Sequence, residues 1–74
     1  MLSDKIKVAR QKAFLSQEAF AKEIGVAYST INRWETAKSK PNLSAMKAIR
    51  DFCFKYGIPY DEIEKEWFAY SRED

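Results

Sequence analysis

Leu15 to Pro41 (LSQEAFAKEIGVAYSTINRWETAKSKP) is the stretch that most limits how this chain can fold. Two short helical patterns lie on either side of Gly25-Val26. Ser16 reads as an N-cap for a helix over Gln17 to Ile24, with Phe20, Ala21 and Ile24 inward. Three residues after Ser16 stands Ala19, so the capping box is incomplete. Gly25 supplies the left-handed residue a tight turn demands, and Val26 follows as its apolar plug. The next helix is expected from about Tyr28 to Thr36, with Ile31 and Trp34 inward and the rest of its surface polar. A helix with such an outer face, followed by the cations of Lys38-Ser39-Lys40, suits the major groove of DNA. That site asks for a rigid platform, side chains that hydrogen-bond base edges, and flanking charge for phosphates.

The rest of the chain reads as three more helices. Ser3 is the expected N-cap of a first helix that runs to about Ala13, with Ile6, Ala9, Arg10 and Ala13 on one face. Phe14 and Leu15 end it, and Lys38 to Pro41 form a loop in which the residue before proline is extended. Asn42 caps a helix over Leu43 to Tyr56 whose apolar face is Met46, Ile49, Phe52 and Cys53, and Gly57 stops it. After Ile58-Pro59-Tyr60, Asp61 is the expected cap of a last helix running to about Tyr70. The expectation is an all-α fold of five helices in one domain, residues 1–74, with a helix-turn-helix core at 15–36 and a C-terminal helix and tail at 58–74.

Composition narrows the function. A chain of 74 residues buries only about 60% of its unfolded surface. No apolar run approaches the ~20 residues of a membrane span. The start, MLSDKIKVARQKA, is charged and lacks the apolar block of a secretory signal. The lone Cys53 fits a reducing compartment, so a cytoplasmic location is expected. With no His and one Cys, a zinc site of Cys and His ligands is excluded by arithmetic, and neither metal nor cofactor is expected. No nucleophile–base pair or Gly-rich phosphate loop suggests an enzyme. Charge is uneven: residues 1–60 carry eleven Lys/Arg against five Asp/Glu, whereas residues 61–74 carry two against six. A basic body with an acidic tail fits a nucleic-acid surface on one side.

Leu15-Ser16-Gln17, Ala21, Gly25-Val26, Ile31, Trp34-Glu35, Lys38 and Pro41 stand at the spacing of a known pattern. Through them the chain resembles the phage-repressor type of helix-turn-helix domain (the XRE, lambda-repressor-like or Cro-type family), from about Ile6 to Ile63. The resemblance implies that Tyr28, Ser29, Asn32 and Arg33 face base edges. Arg33 can pair bidentately with guanine and Asn32 with adenine, while Tyr28 suits a thymine methyl or a phosphate and Ser29 a water-mediated contact. Gln17 is implied as a phosphate contact, with Thr30, Lys38 and Lys40 as further candidates. Arg10 and Glu35 are implied as a structural ion pair. Trp34, three residues from Ile31, reads as core rather than as a stacking platform, and Cys53 as a small hydrophobe. Phe14 and Ala37 stand where the family often has Gly, so either they adopt a left-handed backbone or those turns are built differently.

Ile63, Trp67 and Tyr70 form a stripe at i, i+4, i+7 with Phe68 beside it. This stripe either closes the core or forms a dimer or partner surface. Relatives bind two-fold sites as dimers, with half-sites about 34 Å apart. The reading is a double-stranded-DNA-binding transcriptional regulator, a small prokaryotic or phage repressor acting as a homodimer. The alternative is an antitoxin-like or adaptor module that binds a protein partner through its C-terminal helix.

Overall fold

The structure is a computed structural model that describes residues 1–70. Its helices are α1 (Leu2–Lys12), α2 (Gln17–Ile24), α3 (Tyr28–Glu35), α4 (Leu43–Tyr56) and α5 (Asp61–Ala69), and no strand occurs among the described residues. The expected tail, residues 71–74, lies outside the described residues.

Two of the expected caps form. The Ser16 hydroxyl accepts from the Ala19 N–H at 3.1 Å, and the Asn42 side-chain carbonyl accepts from the Ala45 N–H at 2.8 Å. Both satisfy a first-turn donor that the helix itself leaves unpaired. The other two expected caps do not. α1 begins at Leu2 with Met1 before it, and Ser3 lies buried inside the first turn. Leu2 stands four residues before Ile6, and both join the core, so burial draws the first turn into the helix ahead of the serine. Asp61 is the first residue of α5 and not its cap, which is Tyr60 without a side-chain bond. Its carboxylate sits at the positive end of the helix dipole instead. α1, α3 and α5 each end one residue earlier than expected.

The first four helices end the same way. Phe14, Gly25, Ala37 and Gly57 all have φ between 59° and 76°. The N–H after each closes on a carbonyl five residues back: Leu15 to Arg10, Val26 to Ala21, Lys38 to Arg33 and Ile58 to Cys53. These are Schellman turns, which satisfy the orphan carbonyls of the last helical turn. Phe14 and Ala37 therefore take the left-handed backbone despite their Cβ, at a cost of about 1–2 kcal/mol each. Nothing in the structure explains the choice of phenylalanine at position 14, where the side chain is 94% exposed.

Apolar side chains from all five helices meet in one cluster. Phe20, Ile6, Ile31, Ile49 and Cys53 are its most enclosed large members, and Pro41, between α3 and α4, is fully buried as well. Phe20 and Phe52 join α2 to α4 edge to face, 4.8 Å between centroids. Cys53 is a small apolar filler, and burial pushes its thiol up to about 11. An exposed pair, Lys55 to Glu23, also spans α2 and α4, and the Lys55 ammonium holds the Glu23 carboxyl below its ordinary range.

Ala37→Gly is expected to raise stability by about 1 kcal/mol, which in a domain of this size moves Tm up by about 4–8 °C. Gly57→Ala is expected to lower it comparably. A Cβ at Gly57 meets no atom within 4 Å, so only the backbone is strained. Thermal unfolding followed by circular dichroism reads both.

Candidate nucleic-acid interface

α3 is an eight-residue helix with two buried residues, Ile31 and Trp34. At about 100° per residue, Tyr28, Asn32, Ser29 and Arg33 occupy a continuous arc of about 140° on its other side. All four are exposed, and Tyr28 retains 53% of its surface. The structure thus gathers the four expected base-contact residues on one open face. Thr30 is half-buried beside Ile24, Val26 and Trp34, at the margin of that face.

Arg10 and Glu35 orient this helix. The guanidinium Nε and Nη2 donate to the two Glu35 carboxylate oxygens at 2.8 and 2.9 Å. Arg10 Nη1 donates to the Leu15 carbonyl at 2.9 Å. Side-chain exposure is 12% for Arg10 and 3% for Glu35, so the pair is largely withdrawn from water. The hydrogen bonds to Glu35 raise the Arg10 pKa further above its already high value, against the opposing effect of burial. Gln17 Nε2 donates to Glu35 Oε1 at 3.0 Å. One carboxylate therefore joins α1, the start of α2 and the end of α3. No buried side-chain nitrogen or oxygen among the described residues lacks a partner.

Gln17 is expected as a phosphate contact. Its side-chain amide is turned onto Glu35, to which Nε2 donates. Lys38 is exposed at the exit of α3. Lys40 is exposed too, but its ammonium lies over α5: 4.3 Å from the Trp67 ring centroid, 5.5 Å from that of Tyr70, and 3.4 Å from the Trp67 carbonyl.

The expected dimer or partner stripe is redistributed. Ile63 is a core residue at 2% exposure and is no part of a surface. Trp67 and Tyr70 are half-buried against the same core, and the Trp67 indole N–H donates to the Pro41 carbonyl at 2.7 Å. Phe68 alone of the four stands out, at 73% exposure. It rims a groove of about 700 Å³ between α4 and α5, along with Leu43, Lys47, Arg50 and Glu64. Sequence reasoning missed the Trp67–Pro41 bond, which joins residues 26 apart in the chain with no spacing signal to reveal it.

The sequence profile of a helix-turn-helix family matches residues 6–60, from within α1 to the residue before α5. The chain belongs to this family. Its four-residue outer arc and its Arg10–Glu35 clasp are therefore features of a helix-turn-helix member of the phage-repressor type. It is 30% identical over 61 residues to the HTH-type transcriptional activator BcrR of Enterococcus faecalis, which covers 82% of this chain. The chain spans about 28% of that relative's length. No solved structure matches. No helix among the described residues is long and apolar enough to cross a membrane, and no cluster of three or more His, Cys, Asp or Glu suitable for a metal occurs among them.

Glu35→Ala leaves a largely buried guanidinium and the Gln17 amide without their acceptor. A loss of about 3–5 kcal/mol is expected, read as a lower urea midpoint at unchanged m-value.

Proposed function

We propose that this chain is a sequence-specific double-stranded-DNA-binding transcriptional regulator, acting as one domain that reads the major groove with α3. The observation that carries the reading is the open arc of Tyr28, Ser29, Asn32 and Arg33 on a helix whose other side is locked into the core. Arg33 is assigned to a base edge, with guanine O6 and N7 as its natural bidentate partner. Asn32, Tyr28 and Ser29 complete the reading face. The first turn of α2 at Gln17, with Thr30, Lys38 and Lys40, is assigned to the phosphate backbone. Membership of the family and the regulator named among its relatives support the same class. In this reading the protein represses by occupying its site in the cytoplasm of a prokaryote or in a phage-infected cell, and it carries out no reaction of its own.

One such domain touches about 4–5 base pairs, too few for useful discrimination, so a two-fold pair of chains is proposed. The α4–α5 groove supports this, because Lys47 and Arg50 on one wall and Glu64 on the other suit a self-complementary contact around Phe68. Six to eight phosphate contacts across the pair imply a slope of about −5 to −7 in log K against log salt. The same exposed Phe68 is what favours the second reading, a module that binds another protein through α5.

Selection of duplexes from a random pool tests the reading directly. One preferred sequence is expected, with Arg33→Ala relaxing a single base position and Lys40→Ala weakening every duplex alike. Equal, sequence-independent losses from both substitutions contradict the assigned roles, and a flat titration in low salt favours the protein-binding module. For assembly, Phe68→Glu is expected to shift sedimentation from dimer to monomer without lowering Tm. An unchanged sedimentation coefficient places the dimer contact elsewhere.

A further inference from the structure

α5 lies beyond the family match, yet it reaches back to the segment that leaves α3. Three contacts to that segment converge on one residue, Trp67. The Trp67 N–H holds the carbonyl of Pro41, a fully buried proline, at 2.7 Å. The Trp67 ring lies 4.3 Å from the Lys40 ammonium, and the Trp67 carbonyl accepts from it at 3.4 Å. Phe68 meets the same indole edge to face, 5.0 Å between centroids, and carries the contact out to the α4–α5 groove. Lys40 itself remains exposed.

An exposed lysine ordinarily samples many rotamers and loses that freedom when it meets a phosphate. A lysine already held over an indole and beside a helix C-terminus has given up much of it beforehand, and the ring attracts the ammonium without withdrawing it from water. The same indole fixes the backbone one residue further on, so both the cation and the loop carrying it are set from α5.

We propose that Trp67 is a positioning residue of the DNA interface, holding Lys40 and Pro41 at the exit of α3 ready for the phosphate backbone. This rests on the DNA-binding reading above. It adds to that reading a role for a helix the family match does not include, and it puts the α4–α5 groove in contact with the DNA-side loop through a single side chain. A second copy seated against Phe68 packs on the indole that holds Lys40, so assembly and backbone contact are linked.

The test uses the full chain and two probes, a mixed-sequence 30-base-pair duplex and the best duplex from the random-pool selection. Affinities are read by fluorescence anisotropy across a salt series for the parent, Trp67→Phe, Trp67→Leu, Lys40→Ala and the Lys40→Ala/Trp67→Leu double variant. Trp67→Phe keeps a ring but loses the N–H, and serves where the leucine variant does not fold. Trp67→Leu is expected to weaken both duplexes by about threefold to tenfold, leave the base preference unchanged and lower the salt slope by about one. Trp67→Phe is expected to give a smaller loss in the same direction. In the Lys40→Ala background the leucine substitution is expected to have little further effect. Losses that add in the double variant, or that track the folded fraction at an unchanged salt slope, overturn the proposal. If Arg33→Ala alters base preference while Trp67 substitutions do nothing, the DNA-binding reading stands and this inference falls. If the parent binds neither duplex at low salt, both fall together.

Discussion

The Glu35 carboxylate is the point on which the arrangement depends. It accepts three N–H groups, two from Arg10 and one from Gln17, while the remaining arm of Arg10 holds the Leu15 carbonyl. Ile6 and Ala9 of α1 and Ile31 and Trp34 of α3 share one apolar core, which brings the two helices together but leaves their relative rotation soft, because the hydrophobic effect has no direction. A bidentate guanidinium–carboxylate contact is directional and planar. Ion pairs withdrawn from water contribute little net stability, since desolvation offsets the attraction. The clasp is better understood as fixing an angle: it determines which side of α3 turns outward.

That angle matters because α3 cannot hold itself. Eight residues fall short of the ~12–15 at which an isolated helix becomes marginally stable. Its N-cap, Ala27, makes no side-chain bond, so order comes from Ile31 and Trp34 beneath and from the turns at either end. The four Schellman turns differ at one equivalent position. After the left-handed residue come Leu15, Val26 and Ile58, each packed on the core, but at the exit of α3 the equivalent residue is Lys38. Three helix ends spend this position on burial, and the end of α3 puts a cation there.

Much of the fold was legible because strong local signals coincide with burial. α2 and α4 carry side-chain caps at one end and glycine at the other, and their expected limits match the observed ones. Where a local signal competed with the core, the core prevailed. Ser3 is a good cap by type, but Leu2 before it gains more by burial, and the helix starts earlier. The α5 stripe shows a different limit. Spacing puts Ile63, Trp67 and Tyr70 on one side of a helix but does not say what that side meets, and the structure turns it inward and leaves Phe68 out. For the outer arc of α3, the two inward residues defined the polar face by exclusion. The destination of the Lys40 ammonium had no signature, since it depends on a contact between segments distant in the chain.

The uneven charge of the chain follows from the same geometry. Three acidic residues of α5, Asp61, Glu62 and Glu64, stand in its first turn, where the helix dipole favours them. Two α5 carboxylates meet positive charge at the start of the chain: Glu62 lies 3.8 Å from Lys5, and Glu66 3.8 Å from the terminal ammonium. These are exposed pairs that add little to stability. Their effect is on the field. They pair positive charge at the α1–α5 side, while Arg33, Lys38 and Lys40 stand exposed toward the end of α3. A duplex carries one negative charge per ~1.7 Å, so a concentrated patch beside the proposed reading helix orients the encounter, which a positive charge spread evenly over the surface does not. A net charge of only +2 is then no argument against binding DNA, because what steers a duplex is where the charge lies.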